Sequence, residues 1–282
     1  MVLFALAGCA RTVPGDGSSM PGGPGTPGTQ ASGAAGAALA AWSGYPASRK
    51  PRPVVNLPGA DPFVIVSHPS QTENVKLALQ LRSFELAAGL PRGPVNAPDG
   101  RPLRSAQDAW AQLSKVPDPA PAAKVTPLKV TSVRLGTAAF RHDRLGDLPA
   151  WIFETAEITV AWPALAEPEY WSPPGAGPVK ASPYAKVKSS GTTLTVEVEA
   201  LQRPCPGDPE YAYEAEVKES EAVAVVSIKK IVKGTAPGEK SSSCAYSMVY
   251  RSAPYQVTLA KPLGDRVLVS GEGAPALVTS ES

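Results

Sequence analysis

The sequence predicts an α+β fold dominated by antiparallel β-sheet and carrying one clear helix, with an all-β, sandwich-like arrangement as the alternative. Two observations predict it. From about residue 126 onward the chain is a succession of short apolar or alternating segments separated by Gly, Pro and Ser turns, the pattern of consecutive strands. Earlier in the chain, one run places apolar residues at helical spacing behind a capping serine.

Taken in order, residues 11–48 are almost entirely Gly, Pro, Ser, Thr and Ala, as in Pro21-Gly22-Gly23-Pro24-Gly25. Such a composition offers little apolar surface to offset its ordering entropy, so residues 9–50 read as a disordered linker, about 35 Å in root-mean-square span for a coil of about 40 residues. A short helical turn over Ala34 to Trp42 is the only structure expected within it. The folded body is expected from residue 51, in an N-terminal α+β part (51–125) and a C-terminal β-rich part (126–282), either two domains or one. Pro53 to Leu57 and Phe63 to Ser67 read as strands. Val75, Leu77, Leu79 and Leu81 alternate with Lys76, Ala78, Gln80 and Arg82, a period of two that predicts a further strand. Ser105 stands as N-cap with Asp108 three residues on, ahead of Ala106, Ala109, Trp110 and Leu113, which predicts a helix over Ser105 to Val116. Pro117 to Pro121 stop it.

Strands follow at Leu128 to Leu135, Ala138 to His142, Ala150 to Thr155 and Glu157 to Trp162. Beyond a Pro- and Gly-rich loop come Tyr184 to Lys188, Thr193 to Leu201, Tyr211 to Lys218, Ala222 to Val232, Cys244 to Tyr250, Tyr255 to Ala260 and Arg266 to Val269. Ser189-Ser190-Gly191 and Glu219-Ser220-Glu221 mark turns between antiparallel neighbours.

Twenty-seven basic and 25 acidic residues, without long runs of either sign, argue against a nucleic-acid partner, which would require a concentrated basic surface. At the N-terminus, Val2 to Ala7 are apolar and Leu6-Ala7-Gly8-Cys9 looks like the lipobox that ends a bacterial lipoprotein signal peptide. Only eight residues precede Cys9 and none is basic, so residues 1–8 read as a truncated signal peptide. The resemblance implies cleavage before Cys9 and a lipid on its thiol, anchoring the chain to the outer side of a cell membrane. With Cys9 so used, Cys205 and Cys244 are left to bond to each other, closing a loop of about 40 residues in an oxidising compartment.

Chemistry is sparse. His68 and His142 lie in different halves outside any metal-spacing motif, so no metal or other cofactor is expected. Gly234 to Ser241 looks like a phosphate-binding loop, but Glu239 separates its glycine from Lys240 and strands are expected on both sides, which makes it a hairpin loop. Ser182 and Lys186 are four apart rather than three, no Gly-x-Ser-x-Gly occurs, and so no catalytic residue is assigned. Glu197 and Glu199 share one face of a strand, with Val196 and Val198 on the other, as a solvated face would. Arg49, Lys50 and Arg52 could meet anionic headgroups or wall polymers. Trp151 and Trp162 fit a core, whereas Tyr170-Trp171, flanked by Pro168 and Pro173, is the candidate exposed contact.

Three segments, Arg134 to Ala138, Leu148 to Phe153 and Val257 to Val269, resemble a group of uncharacterised lipoproteins or secreted proteins of high-GC Gram-positive bacteria. The resemblance covers roughly residues 53–269 and implies export but no activity. The expectation is a non-enzymatic envelope lipoprotein that binds an envelope protein or a cell-wall polymer. The alternatives are a carrier of an apolar molecule or lipid and, third, an enzyme.

Overall fold

A computed structural model describes residues 29–57, 63–67, 72–94, 96–116, 125–144, 146–174, 182, 187–239, 244–246 and 249–280. Within them the order is α1 (Thr29–Trp42), β1 (Val64–Ser67), α2 (Glu73–Gln80), β2 (Phe84–Leu86), α3 (Ala106–Leu113), β3 (Leu128–Val130), β4 (Ser132–Ala138), β5 (Leu148–Glu154) and β6 (Thr159–Pro163). Then follow β7 (Val187–Ser190), β8 (Thr193–Glu199), β9 (Pro209–Glu219), β10 (Val223–Thr235), β11 (Ser252–Thr258), β12 (Val267–Ser270) and β13 (Val278–Ser280). The expected β-dominated α+β class is therefore what the chain adopts, with three helices among the described residues rather than one.

In the first half, β1, β6, β5 and β4 form an antiparallel sheet in that order. Period-two alternation sends Trp151, Phe153, Val160 and Trp162 to one face and Ala150, Ile152 and Ala161 to the other. The first set packs against Val75 and Ala78 of α2, against Ala106, Ala109 and Leu113 of α3, and against the parallel pair β2–β3. Each such apolar side chain, fully buried, stabilises the fold by roughly 1.5–3 kcal/mol for residues the size of Val, Leu or Phe.

α2 corrects the strand expected at Val75 to Leu81. Thr72 caps it by accepting from the Val75 amide, and its interior residues, Lys76, Leu77, Ala78, Leu79 and Gln80, are all good helix formers. Leucine at every second position mimicked a strand, yet Val75 and Ala78, three apart, are the residues that become buried. α3 follows the expected cap, Ser105 accepting from the Asp108 amide at 3.0 Å, but ends at Leu113 rather than Val116.

The second half is layered. The sheet β11-β8-β7-β13 stacks on β12-β10-β9, with Leu194, Val196, Val257 and Val278 meeting Ala224, Val226 and Leu268. The opposite face of β10 and β12 is covered by α1, through Ala35, Ala38 and Trp42 against Val223, Val225, Val267 and Val269. Covered on both sides, Val223 to Val226 and Val267 to Ser270 are buried at every position, which is why these segments read as continuous rather than alternating apolar runs. β10 pairs with β12, and β7 with β13, in parallel, so the sheets are mixed. The expected turns are present, Ser189-Ser190-Gly191 joining β7 to β8 and Glu219 to Glu221 joining β9 to β10. Three expected strands are not: Pro53 to Leu57 makes only isolated bridges at Val54 and Asn56, pairing of β4 stops at Ala138, and the described residues among Cys244 to Tyr250 are not in strands.

α1 corrects the linker expected over 9–50. Residues 29–42 are helical and residues 43–50 pack behind them, with Tyr45 3% exposed. Ala35, Ala38 and Trp42 recur on one helical stripe, and Ala is the strongest helix former. Residues 9–28 lie outside the described residues.

The two halves are tied by one strap. Arg49 pairs with Glu169, Arg52 with Asp143 and Lys50 with Asp265. Arg144 donates to the carbonyls of Gly264 and Arg266 at 2.7 Å each, and the Val278 amide donates to Asp143 O at 3.0 Å.

Candidate functional site

His142 is 6% exposed and bonded only to backbone: Nε2 lies 3.2 Å from Gly146 O, and Nδ1 accepts from the Arg144 amide at 3.4 Å. Among the described residues no serine or carboxylate hydrogen-bonds its ring. Burial holds its pKa below the ordinary value, against the opposing pull of the Gly146 carbonyl, which makes it a neutral structural group. Cys9, His68 and Lys186 fall outside the described residues. Among those described, no three His, Cys, Asp or Glu side chains cluster as metal ligands.

Cys205 and Cys244 form the expected disulfide, with Cα atoms 5.8 Å apart. Beside it, Gly207 donates to Ala236 O and the Ala236 amide to Asp208 O, tying the far end of β10 to the Cys205 loop. Glu197 and Glu199 lie on the solvent face of β8, Glu199 meeting Lys230 at 3.5 Å. In the basic cluster, Arg49, Lys50 and Arg52 each engage a carboxylate within the fold, Arg52 from a largely buried position and Lys50 from an exposed one. Trp171 is half-buried rather than exposed, its ring 5.1 Å from Trp42 and 5.3 Å from Tyr45. Tyr170 is half-buried too, and its hydroxyl is wholly enclosed with no hydrogen-bond partner.

Tyr170 also borders a feature the sequence did not reveal. An open cleft of about 380 Å³ lies where α3 and the Val54–Leu57 segment meet the edge of the first sheet. Tyr170 reaches it because residue 170 is bridged to Val54 in parallel register. Trp162, at the end of β6, also lines it and is 6% exposed, and its indole N–H likewise has no partner. Leu57, Phe140 and Leu148 supply an apolar wall.

Basic groups surround the cleft. Arg104 contributes one guanidinium, which donates to Leu165 O at 3.2 Å and to Glu167 Oε1 at 2.9 Å. Arg141 contributes another at the mouth, with no ion pair among the described residues. Outside the cleft's lining, Arg82 stacks 5.7 Å over the Trp162 ring. Arg82 holds φ of 48° at the end of α2, a left-handed position that favours glycine. Burial pushes the Tyr170 phenol up to about 12, with the Arg104 charge opposing, so it stays a protonated donor.

A second candidate surface lies at the disulfide end of the molecule. Tyr211, Val232, Tyr246, Val249, Tyr250 and Leu201 are exposed there, beside an open cleft of about 600 Å³ between the chain after β8 and the chain before β11. Comparison with protein-family models, curated proteins and solved structures finds no match to this chain.

Proposed function

We propose that the protein is an extracytoplasmic lipoprotein, anchored to a cell membrane through a lipid on Cys9, whose body is a non-enzymatic binding module for an envelope protein or wall component. The observation that supports it most directly is the Cys205–Cys244 disulfide. Such a bond is typical of an oxidising compartment, and with Cys205 and Cys244 paired to each other, Cys9, directly behind Leu6-Ala7-Gly8, is the cysteine left over for a lipid. No helix of the described residues is long and apolar enough to cross a membrane. A binding role is supported by the cleft, in which Asn56, Arg104, Gln112, Arg141 and Glu167 stand beside the apolar wall of Leu57, Phe140 and Leu148. The carrier alternative calls for an enclosed apolar chamber, whereas the clefts described are open and partly walled by charged residues.

The test is metabolic labelling of the exporting host with an alkyne fatty acid. Native chain in the membrane fraction should carry the label, and Cys9→Ser should lose both label and membrane association. Unlabelled native chain, or a labelled Cys9→Ser variant, would remove the anchor from this reading.

A further inference from the structure

We infer that the disulfide end of the sandwich is a second membrane contact, which seats its exposed tyrosines and aliphatic side chains in the headgroup region of an anionic lipid surface. The inference rests on the membrane-side location proposed above, but its test does not use the lipid on Cys9.

The fold creates this surface by a mismatch in strand length. β9 and β10 run for 11 and 13 residues, whereas β8 and β11 of the facing sheet run for seven each. Where both sheets are present, Ala224 and Val226 on the inner face of the ribbon meet Leu194, Val196 and Val257. Period two carries the same face on through Lys230 and Val232, with Tyr213 and Tyr211 as their cross-strand partners. Past the end of the facing strands this face opens to solvent, Val232 being 61% exposed.

Leu201, leaving β8, and Val249 and Tyr250, approaching β11, are exposed at the same end, Tyr250 by 75%. Contacts join the two groups: Lys230 lies 4.8 Å over the Tyr211 ring and 3.5 Å from Glu199, and Tyr213 donates to Glu199 O at 2.8 Å. The disulfide pins the adjoining chain, and the exposed Tyr246 beside it donates to Asp208 at 2.8 Å. Contiguous apolar exposure of this kind marks an interaction site on a folded chain.

The chemistry of the side chains selects the occupant. Tyrosine joins an apolar ring to a polar tip, the combination that settles at the boundary between hydrocarbon and water. Val232, Val249 and Leu201 offer a polysaccharide no hydrogen bond, whereas a lipid surface takes them directly. Arg203 and Arg251 line the cleft beside Tyr250 with no ion pair among the described residues, while Glu199 there is taken by Lys230. Guanidinia on long stems beside inserted apolar groups meet lipid phosphates. Glu210 and Glu239 are exposed at the same end, so the attraction is confined to the cleft side. A protein interface fits less well: it engages roughly 20–30 residues on each partner, and these side chains project from strand ends and turns at one pole of the sandwich.

The test places a tryptophan reporter in the surface. Tyr250→Trp, in the full chain carrying Cys9→Ser, is mixed with vesicles of equal parts phosphatidylglycerol and phosphatidylcholine whose acyl chains are brominated. Bromine quenches an indole that enters the bilayer, and the emission of the five native tryptophans is subtracted with the Cys9→Ser parent. At about 1 mM lipid the reporter should lose roughly half its emission or more. Ile65→Trp, on the exposed edge strand of the other half, should lose none beyond the parent. Adding Arg203→Gln and Arg251→Gln should raise the lipid concentration for half-quenching at least about tenfold, as should vesicles of phosphatidylcholine alone.

An unquenched reporter at position 250 overturns the inference and leaves the surface to a protein or a wall polymer. Equal quenching at positions 65 and 250 also overturns it, because no particular face would then meet the lipid. So does a native chain that sediments as a dimer and becomes a monomer on Tyr250→Ser, which would make this end an interface between copies. Fatty-acid labelling at Cys9 is untouched by each of these outcomes, so failure of this contact and failure of the anchor are read separately.

Discussion

Single side chains in this fold are placed by what they can bond to, and His142 shows the energetic consequence. Its ring is enclosed between the Gly146 carbonyl and the Arg144 amide, and burial depresses its pKa below 6.5. A base that titrates near 6.5 when unfolded but lower when folded takes its proton in the unfolded state first. Stability from this group is therefore full above pH 6.5 and declines as pH falls from there toward the folded value. Urea unfolding at about pH 7.5 and about pH 5.5 should show a larger loss for the native chain than for His142→Gln, which has no such proton to exclude. Equal losses in the two chains would show that the buried ring titrates normally. The sequence supports a satisfied histidine and a core position for Trp151 and Trp162, because neighbouring apolar residues signal burial. It could not show that the Trp162 and Tyr170 donors lack acceptors, since that depends on what the fold brings to a cleft from four separate stretches of chain.

At the scale of elements, legibility followed contrast between polar and apolar positions. The strands β5, β6, β8 and β10 and the capped helix α3 carry strong patterns and lie close to where the sequence puts them. The sequence pattern of α2 imitates a strand because leucine stands at alternate positions, and Thr72, its cap, has Val75 three residues on where Ser105 of α3 has Asp108. α1 was misread because its stripe is built of alanine, which composition cannot separate from a linker. Small residues let the helix lie close on β10 and β12, and Trp42 then fixes its end by packing on Trp171 and donating to Gly273 O. Trp42→Ala should accordingly cost about 3–5 kcal/mol in equilibrium unfolding, the range for emptying a buried aromatic site. A change under about 1 kcal/mol would return the segment to the category of linker.

For the whole molecule, the open question in the sequence was whether residues 51–125 and 126–282 are one body. The observed division falls elsewhere, between the first sheet with α2 and α3 and the α1-covered sandwich from residue 187 onward, and the strap of charged residues joins them. Asp143 sits at its centre, 1% exposed, with its carboxylate on Arg52 and on the Val55 amide at 3.2 Å and its carbonyl accepting from Val278. Removing one member of a buried pair leaves the other charge uncompensated, so Asp143→Asn should destabilise by about 3 kcal/mol or more, and pairing it with Arg52→Met should recover part of that loss. Tryptophan fluorescence reports on both halves, because Trp110, Trp151 and Trp162 lie in or against the first core whereas Trp42 and Trp171 pack in the α1-covered one. If the strap couples the halves, tryptophan fluorescence and far-ultraviolet circular dichroism should give one coincident transition in the native chain, and Asp143→Asn should shift both together. A variant in which fluorescence is lost in two separate steps, with part of the strand signal persisting past the first, would show that each half holds its own core, and that the strap positions the two without making their folding cooperative.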